Sequence, residues 1–210
     1  MSIRTPKIAV ATLDAKAYYA LTSLLKAMHI PFESVSPGGD VNLNVQLILT
    51  TRREKTQMGD RKTLCLEDLI GDNDAVAKEK IFSLLYSGGD DVLVVGVDPG
   101  ERTGVVAYYR EKEILEEVTR SLDETLTTIS GLSRNSKAAR KIIRIGDGNP
   151  KMARTLAENL LKSFKHKVEV EIVDERGTST TANPPYIKGS RDLRSARIIS
   201  SRKGRRYQEI

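Results

Sequence analysis

VLVVGVDPGERTGVVAYY, residues 92–109, is an apolar run that ends on a carboxylate, Asp98, and resumes as a second apolar run after the four residues PGER. A buried strand followed by a tight turn and another buried strand reads as an antiparallel hairpin. The next segment, KEILEEVTR, alternates apolar and polar residues and extends the hairpin into a three-stranded meander. Beyond it the period changes. SLDETLTTISGLS reads as a helix with Ser121 as N-cap and Glu124 three residues on. KIIRIGDG is again a strand, and NPKMARTLAENLLKSF a helix with Asn149 as N-cap and Pro150 at its first position. VEVEIVDERGTS alternates as a strand, and SRDLRSARIIS closes the chain's regular structure as a helix. The expected order is β-β-β-α-β-α-β-α, a mixed sheet over residues 89–210.

Upstream, KIAVAT, FESVS, VQLILTT and TLCLEDL are strand candidates. AKAYYALTSLLKAMHI and DAVAKEKIFSLLYSG carry helical spacing. This alternation predicts a small, open, mostly parallel α/β domain over residues 1–88. The flexible, charged SGGDD at residues 87–91 marks the boundary. The first strand-to-helix turn, ATLDAKA, has no glycine, which argues against a dinucleotide pyrophosphate site there. Asp14, Arg52 and Arg53 fall at strand ends and read as surface charge.

Composition narrows the classes. Of the 210 residues, 39% are hydrophobic and 30% charged, so the chain can bury a core. No long apolar run predicts a membrane span and no signal peptide is visible, so a cytoplasmic location without membrane association is expected. Cys65 is the single cysteine, which excludes an intrachain disulfide, and His29 and His166 are too few for a histidine-based zinc site or a Ser-His-Asp triad. The net charge is +6, and residues 188–210 alone hold eight basic residues against two acidic ones. Everything upstream therefore sums to zero. The cluster, Lys188, Arg191, Arg194, Arg197, Arg202, Lys203, Arg205 and Arg206, suits a polyanion such as nucleic acid.

The same elements put acids at the ends of strands. Asp98 follows the first strand of the second module, Asp147 the fourth, Asp174 and Glu175 the fifth, and Asp192 sits in the first turn of the last helix. If the first strand is central and the fourth and fifth run parallel to it, these ends share one edge of the sheet. Asp192 lies on one helix face with Ser195, Ala196 and Ile199. Clustered carboxylates repel one another unless a hard cation such as Mg²⁺ or Mn²⁺ joins them.

GVDPGERTG with its hairpin, VDERGTST and the helix DLRSARII resemble the RuvC/YqgF branch of the ribonuclease H-like superfamily, which includes Holliday-junction resolvases. The resemblance covers residues 91 to about 202, and the segment Asp174–Ser179 is its most specific part. It implies a ribonuclease H-like fold for residues 89–210 and a metal-dependent nuclease site built from Asp98, Glu175 and Asp192. An acid after the fourth strand, here Asp147, belongs to the resolvase pattern, so the working set is Asp98, Asp147 and Asp192 with either Asp174 or Glu175. Residues 1–88 lie outside the family pattern.

Two Mg²⁺ or Mn²⁺ ions roughly 4 Å apart would activate a water and stabilise the leaving oxygen in phosphodiester hydrolysis. Arg102, Arg176, Lys188 and the basic residues of the last helix and tail would hold the nucleic-acid backbone. A resolvase is expected to dimerise so that two strands are cut symmetrically. Two further readings stay open: a ribonuclease H-like module that binds nucleic acid without cutting it, and an ATP-binding relative of the actin and sugar-kinase fold. The latter would need a second copy of the meander in residues 1–88.

Overall fold

Ile8 to Ala11 are buried on both faces, as a strand inside a parallel sheet requires, and they form β1 (Ile8–Ala11). The computed structural model describes residues 7–86, 88–165, 167–175 and 191–208. The chain divides into two compact units, residues 1–88 and 89–210. In the first, β1 is followed by α1 (Ala15–Ala27), whose N-cap Asp14 accepts hydrogen bonds from the Lys16 and Ala17 amides. Then come β2 (Phe32–Val35), β3 (Leu47–Thr50), β4 (Thr63–Cys65) and α2 (Asp74–Leu85). The strands pair in the order β2-β1-β3-β4, all parallel. One face of this sheet buries Ile8, Val10, Leu47 and Leu49 with Leu21 and Leu25 of α1 and Ile81 of α2. Only the start of TLCLEDL is strand, because the chain turns into a short 3-10 helix at Leu66–Asp68. Among the described residues this unit holds no antiparallel meander, so the second copy that the actin-like reading needs is absent from them.

The second unit opens with β5 (Val92–Asp98), β6 (Thr103–Tyr109) and β7 (Lys112–Thr119), antiparallel neighbours with a register shift between Ala107 and Tyr108. α3 (Leu122–Asn135) starts where Ser121 accepts from the Glu124 amide, while Glu124 reaches back one residue further than a capping box, to the Arg120 amide. β8 (Arg140–Gly146) lies parallel to β5. α4 (Pro150–Phe164) follows, capped by Asn149 on the Met152 amide, and β9 (Glu169–Val173) lies parallel to β8. α5 (Arg191–Ser201) comes next. Arg205 and Arg206, read from sequence as part of a basic tail, form β10 (Arg205–Arg206), which pairs antiparallel with β9. The strand order is β10-β9-β8-β5-β6-β7, a mixed six-stranded sheet with β5 inside it.

Two glycines decide how close α5 comes to this sheet. A Cβ on Gly96 of β5 would stand 2.3 Å from the Ala196 carbonyl oxygen, and one on Gly104 of β6 would stand 2.2 Å from the Asp192 carbonyl oxygen. Only bare backbone permits that approach, which seats Leu193 and Ala196 on Val106. Val95 and Val97, fully buried, point to the opposite face. There α3 and α4 pack against each other and against β7, β8 and β9. Arg197 ties the helix down from outside, bonded to Glu113 at 3.0 Å and to Glu116. Among the described residues, no helix is long and apolar enough to cross a membrane.

Candidate metal and nucleic-acid site

The parallel run of β5, β8 and β9 brings their C-terminal ends to one edge, and the acids collect there. Asp98 ends β5 and pairs across the hairpin with Gly104, on which the first turn of α5 rests. That contact carries Asp192 to Asp98. Glu175, two residues past β9, reaches the same place by a different device. Its backbone amide donates to Asp147 Oδ1 at 3.0 Å, and its Oε1 accepts from the Gly148 amide at 3.0 Å. A Cβ on Gly146 would lie 1.9 Å from Glu175 Oε1, and one on Gly148 2.7 Å from Oε2, so the two glycines of IGDG leave the space that this carboxylate fills. Asp98, Glu175 and Asp192 line one cleft of about 730 Å³, together with Arg102, Arg191, Arg194 and Ser195.

Electrostatics in the cleft are uneven. Asp98 is pushed up to about 6, first by burial and then by the negative charges of Glu175 and Asp192; a hydrogen bond from Ser195 and the charge of Arg191 pull the other way without offsetting them. Asp192 is paired with Arg102 at 3.5 Å. Such a half-buried carboxylate beside two others is poorly served by the protein itself. A cation would relieve it.

The other sequence candidates fall elsewhere. Asp147 is outside the lining of the cleft, and its carboxylate instead orients the chain at Glu175. Asp174 presents its carbonyl to Arg202 at 3.2 Å and also lies outside that lining. Arg191, Arg194 and Arg102 border the cleft. Arg197 faces away from it, in the fold's own ion pairs, with its guanidinium held in the charged form by Glu113. Arg205 and Arg206 are in β10, and Lys203 is exposed just before it. Arg176 and Lys188 lie outside the described residues. Sequence reading missed Gly96, Gly104, Gly146 and Gly148 as site-forming positions. The signal was present for Gly96, Gly104 and Gly146 as glycines inside otherwise bulky apolar strands, and for Gly148 as the second glycine of the turn IGDG.

The donor set suits a hard divalent cation in kind, being carboxylate oxygen without sulfur or imidazole. In position it is incomplete: among the described residues, no three ligating side chains stand close enough to hold an ion, since Glu175 is turned to Gly148 and Asp192 to Arg102.

Residues 7–78 are similar to the family described as response regulator receiver-like domain, which covers about a third of the chain and none of the cleft. No curated protein matches the chain. Among solved structures it is similar to Aa-Ago with externally bound siRNA, at 10% identity and a TM-score of 0.28, over 87% of this chain. The chain spans 37% of the length of that one.

Proposed function

We propose that residues 89–210 form a ribonuclease H-like, metal-dependent nuclease, related to the RuvC/YqgF branch, that hydrolyses phosphodiester bonds in structured nucleic acid. The observation that carries this reading is the meeting of Asp98, Glu175 and Asp192 in one arginine-bordered cleft, with Asp98 pushed up to about 6. The central β5, flanked by its own hairpin on one side and by β8 and β9 on the other, supports it. Once Glu175 releases the Gly148 amide and Asp192 releases Arg102, Asp98, Glu175 and Asp192 would hold Mg²⁺ or Mn²⁺, which would supply Lewis acidity at the phosphoryl oxygens and an acidified water. The chain's own groups do the rest. Arg191 and Arg194 draw phosphate oxygens toward the carboxylates, which alone would repel them. Asp147 keeps the backbone at Glu175 in place, and Ser195 orients Asp98. Symmetric cutting of a four-way junction would require a second copy of the chain.

The Arg102–Asp192 ion pair favours a second reading, in which the cleft binds nucleic acid without cutting it. One assay separates the two. Labelled four-way junction, duplex DNA, single-stranded DNA and RNA are incubated with the protein and Mg²⁺, Mn²⁺ or EDTA, beside Asp98→Asn. The nuclease reading expects cleavage that needs metal and is lost in the variant. Retention of every substrate without a cut under any metal overturns it and leaves the binding module.

A further inference from the structure

The opposite end of the same sheet, where β8 and β9 begin, carries a second concavity that the nuclease reading does not use. It encloses about 450 Å³ beside the C-terminal ends of α3 and α4. Among the described residues, five cationic side chains line it, Arg134, Lys137, Lys141, Lys165 and Lys167, and no carboxylate does. Glu169, at the start of β9, is taken up by Arg140 at 3.1 Å.

Basic residues at helix C-termini have an ordinary explanation, because the last carbonyls attract them. Lys141 fits it, donating to the Ser133 and Ser136 carbonyls at 2.8 and 2.9 Å. Arg134 lies over the Phe164 ring, 5.8 Å from its centroid. Lys165 and Lys167 are different. Both are exposed, and among the described residues neither has an ion-pair partner. Lys165 holds the left-handed cap of α4 at φ 45°, a place that favours glycine or asparagine. The turn it makes is closed by the Lys167 amide on the Phe164 carbonyl at 3.0 Å. A second observation points to a ligand: Ser133, which lines the pocket, is 1% exposed, and its hydroxyl has no hydrogen-bond partner among the described residues. Buried hydroxyls are ordinarily satisfied.

We propose that this pocket binds a phosphate group, with Ser133, Lys165 and Lys167 donating to its oxygens. The chemistry matches because a phosphate offers several strong acceptors to ammonium and hydroxyl donors and neutralises a pocket of like charges. Strand β8 separates it from the Asp98 cleft by roughly 20 Å at ordinary strand rise. One phosphate cannot serve both places. The group belongs either to a small phosphorylated molecule or to a nucleic-acid backbone that also reaches this end of the sheet, and the inference stands apart from the nuclease reading.

The test follows backbone amide chemical shifts of the full chain during titration with inorganic phosphate, a nucleoside monophosphate, or a single-stranded oligonucleotide without terminal phosphate, each at constant ionic strength set with chloride. Saturable shifts at Ser133, Lys165 and Lys167 are expected. Lys165→Gln/Lys167→Gln should weaken binding about tenfold or more, the loss of charged hydrogen bonds, with an unchanged melting temperature because both side chains are exposed. Ser133→Ala should weaken it severalfold and leave the fold intact. Saturation by phosphate and mononucleotide alone names a small ligand; saturation by the oligonucleotide names the backbone. No saturable shift at these amides with any of the three probes overturns the proposal, as does unaltered affinity in the double variant.

Discussion

Both units place acids at the C-terminal edge of parallel strands, and the two sets differ in what surrounds them. In the first unit Asp14 caps α1, and Glu54 accepts hydrogen bonds from Thr12, Thr51 and the Leu13 amide. Burial alone would raise Glu54, yet those bonds hold its carboxyl below the usual value of 4.5. Asp14 is lowered as well, first by the Ala17 amide. In the second unit the carboxylates face one another, and Asp98 moves up to about 6. A carboxylate that the fold has satisfied is a fastener. One that the fold leaves in the company of other carboxylates is available for a ligand, and this contrast, more than position on the sheet, separates the candidate site from its counterpart.

Five experiments would break or sharpen that contrast. The largest effect is expected in cleavage: Glu175→Gln and Asp192→Asn should each lower metal-dependent activity by about a hundredfold or more, in keeping with loss of metal-borne charge stabilisation. Asp14→Asn should leave that rate unchanged, and equal losses in all three would erase the distinction. Next, Gly104→Ala should cost about 3 kcal/mol by overpacking, because its Cβ would meet the Asp192 backbone 2.2 Å away. Denaturant unfolding reads it, against Gly131→Ala in α3, where the space is open and a gain of about 0.5–1 kcal/mol is expected.

Glu54→Gln should cost about 2 kcal/mol, because an amide NH2 takes the place of one carboxylate oxygen that accepts hydrogen bonds, with cleavage unaffected. Because its folded value is depressed, the stability it contributes is present above pH 4.5 and is lost as pH falls through the lower folded value. The smallest effect has the opposite sign. Asp98 is raised from 3.8 to about 6, so its ionisation opposes folding, fully so above pH 6. Asp98→Asn should therefore be more stable than the wild type at pH 8 by about 1 kcal/mol, after allowance for solvent screening, and the gap should close as pH falls toward 4. Added Mg²⁺ should raise the melting temperature of the wild type at pH 8 more than at pH 5, and leave Asp98→Asn unmoved.

Much of this architecture is legible in the amino-acid sequence. The hairpin at residues 92–109, the caps Ser121 and Asn149, and the alternation of strand and helix are local patterns, and local patterns follow from periodicity and capping chemistry. β10 escapes such a reading because Arg205–Arg206 has no strand signal of its own and pairs only because β9 offers an open edge. Arg197 looks like its neighbours Arg191 and Arg194 in sequence; only the packing of α5 turns it toward Glu113 and Glu116 while they border the cleft. Asp147 and Glu175 are both candidate ligands by sequence, and only the fold sets Asp147 on the Glu175 amide while Glu175 lines the cleft.

Sequence alone determined the elements other than β10, their order and the stock of acids at strand ends, because each depends on residues a few positions apart. Which acids meet is a long-range matter. Gly96 and Gly104 let α5 descend onto β5 and β6, bringing Asp192 beside Asp98, while Gly146 and Gly148 leave space for Glu175. Contacts between segments tens of residues apart are set by packing, and a glycine's role as an absence of side chain becomes visible only when the atoms that fill its space are in place.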